Sequence, residues 1–348
     1  MHKPGEVSQV QEEWLRGTVS AIFESLGYSP SAAHSVSDSL VEADLRGVSS
    51  HGTMRVPMYV ERIQAGSVSR HERAEIVSDN GAVCVLDARH ALGCLTSDQA
   101  MALAVRKATE FGLGAVAVRN GFHFGAAARY VLQAIDGGCI GIAAANTRPL
   151  MAAIGGAEAV VGNNPLSIGA PSADGVPIVL DMALSEAAFG KIKAAEMSGR
   201  TIPSTWATGP DGVPTTDPGE AIRGLLLPAG GPKGFGLAMM IDILTGVLSG
   251  GGWGNDVKGL YVEPQTPNNC SHFFMAVNIE AFTDRTLFGT VVAAMASNVR
   301  HSSRATGTDV LFTPGEPEWT TRAARTANCV LLDATVLDEL EKLEMALR

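Results

Sequence analysis

From residue 74 onward, short apolar runs alternate with longer amphipathic stretches, and this order restricts the fold more than any single motif does. Ala82–Asp87, Gly114–Val118, Ile140–Ala145, Leu166–Ala170 and Ile178–Met182 read as strands. Thr96–Phe111 and Ala126–Ile135 carry helical spacing. Such alternation predicts an α/β domain. Further on come helices over Ser185–Ser198 and Gly234–Leu248, a strand over His272–Ile279 and a charged, capped helix from Asp333. Two stretches rich in Gly, Pro, Thr and Asp, TIPSTWATGPDGVPTTDPGE and SGGGWGNDVKGLYVEPQTPNN, flank the helix Gly234–Leu248 and read as surface excursions. No internal repeat is present.

The N-terminal region is helical. Val10, Trp14, Leu15, Val19, Ile22, Phe23 and Leu26 recur at helical spacing, which predicts a helix over Val7–Leu26 stopped by Gly27. Ser29-Pro30 opens a second helix that runs to about Leu45, with the proline at its first position. Next comes Gly47-Val48-Ser49-Ser50-His51-Gly52, where the two glycines are expected to let the backbone bend. Pro57 fits only a first helical turn, so a helix over Arg55–Gln64 ends at Gly66 and leaves Ser50 and His51 just before its start.

A chain of 348 residues is long enough for two domains. The formal charge of −10 supplies no basic field for nucleic acid or anionic lipid. Five widely spaced cysteines form neither a disulfide framework nor a cysteine zinc site, which suits a reducing cytoplasm. The first thirty residues lack the apolar core of an export signal, and Leu237–Leu248 is too short for a bilayer and carries Asp242.

Gly112-Leu-Gly114-Ala-Val-Ala117 matches a dinucleotide fingerprint in spelling only. A helix precedes it and a strand follows, the reverse of a Rossmann turn, so the glycines read as a helix end. Lys233 stands before a helix, where a lysine can meet a phosphate. Of eight histidines, none pairs at helical metal spacing. His51 and His123 stand apart because each sits in a turn beside glycine, and His123 follows a strand. Arg55 reads either as a carboxylate clamp or as half of a surface salt bridge. Asp181-Met182-Ala183 ends a strand, Ser185 reads as a helix cap, and Gly162-Asn163-Asn164-Pro165 is a turn by composition.

With these residues in place, the chain resembles the malate/L-lactate dehydrogenase family of nicotinamide-dependent oxidoreductases, which lack the Rossmann fold. The resemblance rests on Asp44-Leu45-Arg46-Gly47 leading into Ser50-His51-Gly52 and Arg55, then His123-Phe124-Gly125, Asn164-Pro165, Leu180-Asp181-Met182-Ala183 with Ser185, Gly190-Lys191-Ile192, Thr216-Asp217-Pro218, Lys233-Gly234 and Pro314-Gly315-Glu316, all in order. It implies an NAD(P)-binding α/β fold of the malate/L-sulfolactate dehydrogenase type with a partly helical second domain. The helical, substrate-side domain would take residues 1–115 with 300–348, and the cofactor domain residues 116–299. A homodimer is implied as well. So are roles: His51 as proton carrier, Ser50 and Lys191 as its catalytic companions, and Arg55 and Asn163 as substrate contacts. His123, Phe124, Gly125, Ala126, Ala127, Asp181, Met182, Ala183, Lys233, Pro314, Gly315 and Glu316 would line NAD(P).

The substrate expected is a small 2-oxo or 2-hydroxy acid. Asn163 departs from the family's usual threonine and exchanges a hydroxyl for an amide. Lys191 matches the hydroxy-acid members, whereas the cyclic imino acid reductases tend to carry aspartate there; the lysine would stabilise an oxyanion or pair with Glu186 or Glu196. Reduction of a cyclic imine is the alternative, and a metal-dependent hydrolase built on His51 and His123 is the alternative of another class.

Overall fold

The structure, a computed structural model, describes residues 7–347. Residues 1–6, the start of the stretch expected to carry no export signal, lie outside them. The first apolar run does not open as a helix. Val7–Val10 forms strand β1, and α1 occupies Glu12–Ser25. A strand wins here because a partner arrives from the far end of the chain: β1 pairs antiparallel with Val330–Asp333. Helix α2 spans Pro30–Leu45 as expected, and Ser29 Oγ accepts the Ala32 N–H at 3.2 Å. Helix α3 covers Val56–Gln64.

The α/β region follows. Its elements are β2 (Glu75–Asn80), β3 (Val83–Asp87), α4 (Gly93–Phe111), β4 (Leu113–Gly121), α5 (Ala128–Asp136) and β5 (Cys139–Ala145). A small hairpin of β6 (Met151–Ala152) and β7 (Ala159–Val161) precedes β8 (Leu166–Ala170) and β9 (Ile178–Met182). Helices α6 (Phe189–Met197), α7 (Pro218–Arg223) and α8 (Pro232–Asp242) come next, then β10 (Cys270–Asn278) and α9 (Arg285–Arg300). The chain closes with α10 (Glu316–Ala327), β11 (Val330–Asp333) and α11 (Ala334–Leu347). Two of these, α7 and the extension of α8 as a π-helical turn over Ile243–Val247, border the stretches expected as loops.

The main sheet has seven strands in the order β2-β3-β4-β10-β5-β8-β9, and β3–β4 is its one parallel pair. Strand β10 wedges between β4 and β5, antiparallel to both. Neighbouring parallel strands joined by a helix are the setting of a Rossmann phosphate turn; β10 separates the pair that α5 connects, and the pair that α4 does connect, β3 and β4, has no glycine pattern in the turn Ala88–Leu92. The Gly112 spelling is accordingly a helix end: Gly112 has φ +80° and donates to Ala108 O at 2.8 Å.

Three apolar clusters organise the interior. One joins α1, α2 and α3 to β11 and α11 through Leu15, Phe23, Leu40, Tyr59, Leu332 and Leu340. A second lies between the sheet and α4 and α5, with Met101, Val118, Tyr130 and Phe274. The third gathers Met151, Leu184, Ile192, Leu226 and Ile241. Helix α4 and strand β4 share the second cluster, on either side of residue 115. The first cluster also takes in Phe122, at the end of β4. The helical unit therefore packs against the strand end that precedes His123.

Candidate active site

Helix α2 delivers the chain into the His51 turn. Gly47, at φ +79°, reverses direction, and two 3-10 turns follow at Ser49–His51 and Thr53–Arg55. The buried Asp44 carboxylate holds them from below, accepting the Thr53 N–H at 2.8 Å and its hydroxyl at 2.7 Å. Burial pushes Asp44 up to about 6, although both bonds to Thr53 pull the other way. Gly52 does not serve the bend through an unusual conformation, as expected of both glycines: its φ is −90°, open to any residue. Glycine is required there for space, since a Cβ would lie 1.9 Å from Asp44 Oδ1.

On this turn Ser50 Oγ lies 2.9 Å from His51 Nδ1. Arg55 folds back and donates from Nε to Ser50 O at 2.7 Å. It has no carboxylate partner among the described residues, so the surface salt bridge does not form. Its Nη1 instead donates to the Tyr261 hydroxyl, and the guanidinium carbon stands 5.5 Å from the Tyr261 ring centre. Seven residues on, in α3, Arg62 is fully buried and donates to the carbonyls of Gly259, Leu260, Val262 and Thr266. Those bonds fasten the Tyr261 segment to α3.

His123 arrives from the other side, just beyond β4. Asn120 takes φ +52°, a conformation that asparagine tolerates, and turns the chain out of the strand. Gly93, at the start of α4, lets the turn come close: a Cβ there would meet Phe122 O at 2.0 Å and His123 O at 2.5 Å. Tyr59 Oη sits 2.7 Å from His123 Nδ1. Burial raises Tyr59 above the usual phenol range and the hydroxyl has no other partner among the described residues, so it donates to Nδ1 and leaves the ring proton on Nε2. The His51 and His123 rings stack at 5.5 Å with 21° between their planes. Behind them His272, fully buried, stacks on Phe124 at 4.8 Å.

These imidazoles are held neutral. Burial first and Arg55 second push His51 down to about 4. Burial, then His51, Arg55 and His272, hold His123 well below the usual histidine range. Burial also pushes His272 down to about 3. Among the described residues, no group of three His, Cys, Asp or Glu side chains is placed to hold a metal ion.

The remaining expected residues gather along β9. The Asp181 carboxylate accepts the Ala128 N–H at 2.8 Å, which joins Met182 and Ala183 to the stretch from His123 to Ala127. Pro314 O accepts the Val179 N–H at 3.0 Å, and Gly315, at φ +81°, packs where a Cβ would lie 2.7 Å from Val179 O. The Glu316 side chain faces elsewhere, bonded to Arg300 at 2.8 Å and to Thr313. Past Ala183, Leu184 donates to Asn163 O at 2.8 Å, and the Asn163 amide oxygen accepts from Thr147 Oγ1 at 3.0 Å. Ala229 N–H donates to Leu184 O, which brings Gly230, Gly231 and the first turn of α8 with Lys233 alongside.

Two expectations change. Ser185 does not cap α6, which starts four residues later at Phe189; its hydroxyl donates to Ala187 O at 2.9 Å. Lys191, exposed on α6, pairs with neither Glu186 nor Glu196 and has no hydrogen-bond or ion-pair partner among the described residues. No bond ties it to His51. Three residues of the site were not singled out from sequence. Tyr59 was within reach, four positions beyond Arg55 on one helical face. Arg46 stands inside a quoted motif, yet only the structure shows that it is buried with Nη1 unpartnered, in the field of Glu42, Glu318 and Asp181. Tyr261 lay in a stretch with no distinguishing spacing.

Comparison with known proteins identifies the family. The profile of the malate/L-lactate dehydrogenase family matches residues 10–341. Malate dehydrogenase of Pyrococcus abyssi is 36% identical over 343 residues, covering 96% of this chain and 94% of that protein. Ureidoglycolate dehydrogenase (NAD(+)) of Escherichia coli is 35% identical over 286 residues, 82% of this chain and 81% of that one. The structure of sulfolactate dehydrogenase from Methanocaldococcus jannaschii superposes with a TM-score of 0.92 at 34% identity, covering 98% of this chain and 97% of the other. With a family profile spanning nearly its whole length and a shared fold, the chain belongs to the malate/L-lactate dehydrogenase family and is an oxidoreductase of small hydroxy acids.

Proposed function

We propose that the enzyme interconverts a small 2-oxo acid and its 2-hydroxy acid with a nicotinamide cofactor, using His51 as the proton carrier. One observation carries this reading: His51, tethered to Ser50, stands beside an arginine that has no carboxylate of its own. Arg55 grips the substrate carboxylate through its remaining N–H groups and so orients the adjacent carbon. In oxidation, neutral His51 takes the hydroxyl proton; in reduction it returns it to the carbonyl oxygen. At about 4 the resting ring is already the base at neutral pH. A carboxylate on Arg55 cancels part of the field that depresses His51, so substrate binding itself favours loading the proton needed for reduction. Asn163 contacts substrate beside this pair, and Lys191, free on α6, stabilises charge on the reacting oxygen.

The residues around β9 fit NAD(P). Arg46, buried with an unpartnered Nη1, supplies a desolvated cation for a phosphate. Gly230 and Gly231, at φ +62° and +63° with open space where a Cβ would stand, leave room for another beside Lys233 and the first turn of α8, although their own N–H groups are bonded to Glu186 Oε2 and Pro228 O. His123, Phe124, Gly125, Ala126, Ala127, Asp181, Met182, Ala183 and the Pro314-Gly315-Glu316 corner complete the lining, with the Glu316 side chain acting as a brace through Arg300. When bound, the cofactor donates or accepts the hydride. The division of labour follows the cores: the helical unit with β11 and α11 supplies the clamp, and the seven-stranded sheet supplies the cofactor side. Because β2 begins that sheet, we place the domain boundary before Glu75 rather than at 115. We also propose a homodimer, and a cytoplasmic setting in which five unpaired thiols remain reduced.

A panel of pyruvate, oxaloacetate, sulfopyruvate, diketogulonate and cyclic imines, assayed with NADH and with NADPH, tests the reaction. Turnover of a 2-oxo acid is expected, and His51→Ala should lower it by about 10²–10⁴-fold. Turnover of imines alone would replace the carbonyl substrate, and an unimpaired His51→Ala would remove the histidine from the chemistry.

A further inference from the structure

The loop around Tyr261 is built with unusual thoroughness for a surface excursion. Arg62 is fully buried, has no acidic partner among the described residues, and gives its guanidinium to four backbone carbonyls. Those carbonyls belong to residues 259, 260, 262 and 266 and therefore bracket Tyr261 on both sides. The guanidinium's one further partner among the described residues is the Ser67 hydroxyl at 3.5 Å; a buried charge satisfied almost wholly by one loop's carbonyls holds that loop in one conformation, because releasing any of them leaves the charge underbonded. The side chain held in this way is 65% exposed. Its neighbour Leu260 packs against the first cluster, but the Tyr261 ring is not part of the core, so its fixed placement does more than packing requires.

Tyr261 meets Arg55 in two ways. Its hydroxyl accepts an Nη1 hydrogen, and its ring lies 5.5 Å from the guanidinium carbon. The phenolic oxygen therefore acts as acceptor, and its own O–H has no partner among the described residues. Arg55 Nη2 is likewise unpartnered there, because Nε is taken by Ser50 O. The unused N–H groups of Arg55, three of its five, and one phenol O–H thus stand side by side next to His51.

We propose that Tyr261 is a substrate-binding residue that completes the carboxylate clamp: the carboxylate bound by Arg55 accepts a second hydrogen bond from the Tyr261 hydroxyl, in a position set by Arg62. This rests on the reading of Arg55 given above. The clamp recognises a charged, planar carboxylate and discriminates against the corresponding ester or amide, while leaving the other end of the substrate unconstrained.

The test compares wild type with Tyr261→Phe, which keeps the ring and removes the hydroxyl at an exposed position. For the best 2-oxo acid of the panel, KM should rise by about tenfold or more, as expected for a hydrogen bond to a charged acceptor, with kcat within about threefold. The methyl ester of the same acid should be used equally poorly by both proteins, a result that a merely structural loss would not give. Arg62→Met should reproduce the KM increase by loosening the loop, and its melting temperature reports the accompanying loss of stability. Oxamate binding in the presence of NADH, read by calorimetry, needs no turnover and should weaken by the same factor in Tyr261→Phe. An unchanged KM and oxamate affinity in Tyr261→Phe, or no oxamate binding to wild type, overturns the clamp. Normal oxamate binding that is weakened in Tyr261→Phe, in a wild type that turns over no member of the panel, upholds the clamp and overturns the reaction.

Discussion

His51 shows how far a side chain's chemistry depends on what surrounds it. An imidazole in water titrates at about 6.5 and would be partly charged near neutral pH; burial and Arg55 push this one down to about 4. The sign follows directly: both causes penalise the charged form, so the ring is a base at rest. Nuclear magnetic resonance of the His51 ring should place its titration near 4 in the ligand-free protein. In Arg55→Gln the midpoint should move upward yet stay below 6.5, because burial, the larger cause, persists. A midpoint at 6.5 in wild type would mean that the ring is solvated and that the reduction step needs no help from bound carboxylate. Gly52 makes a related point at the same scale. In the sequence it reads as a glycine that lets the backbone bend, but its lack of a side chain makes room for Asp44 rather than for an unusual φ.

The site is assembled where elements end. Ser50 and His51 follow α2, His123 follows β4, and Asp181 closes β9 against the first turn of α5. These ends are held together by close backbone approach as much as by side chains. Gly93 is the clearest case, because the atoms a Cβ would meet, Phe122 O at 2.0 Å and His123 O at 2.5 Å, belong to backbone and cannot swing aside. Gly93→Ala should cost about 1–3 kcal/mol of stability by overpacking. It should lower turnover by about 10²-fold through displacement of His123, even though residue 93 touches no substrate. Denaturation midpoints and steady-state rates measured on the same preparation decide this. Full activity would show that the turn carrying His123 yields without consequence. Elements with local signals were legible: α2 with its Ser29 cap, and β8 and β9 at their expected bounds. Strand β1 was not, because its apolar residues satisfy a helical period and only β11, more than three hundred residues away, makes a strand preferable.

Among the described residues, two helices keep apolar faces exposed. Along α9, Leu287, Val291, Met295 and Val299 recur every four residues and are exposed, Met295 at 63%. Met239, Met240, Val247 and Leu248 extend a similar face along α8 and the turn that follows it. Exposed apolar helix faces of this length are uncommon on a monomer and suit a second copy of the chain. Light scattering should give twice the chain mass, and Met240→Glu combined with Met295→Glu should shift the protein toward monomer. A wild type that runs as a monomer at micromolar concentration would remove the dimer from the description. Among the described residues no helix is long and apolar enough to cross a membrane.

By itself the sequence determined what depends on neighbours along the chain. Helix starts and stops, the strands of the α/β region, the grouping of Ser50, His51 and Arg55 within six residues, and the false Rossmann spelling all follow from short-range sterics and hydrogen bonding, which local residue types encode. The tertiary structure decided what depends on distant segments and on the removal of water. It inserted β10 between β4 and β5, paired the two ends of the chain, carried Tyr261 to Arg55 across 206 positions, and desolvated three histidines, His272 fully buried and His51 and His123 half-buried, enough to lower their affinity for a proton. Loop closure brings together residues whose spacing in sequence carries no period, and desolvation is a property of the assembled interior rather than of any residue in it.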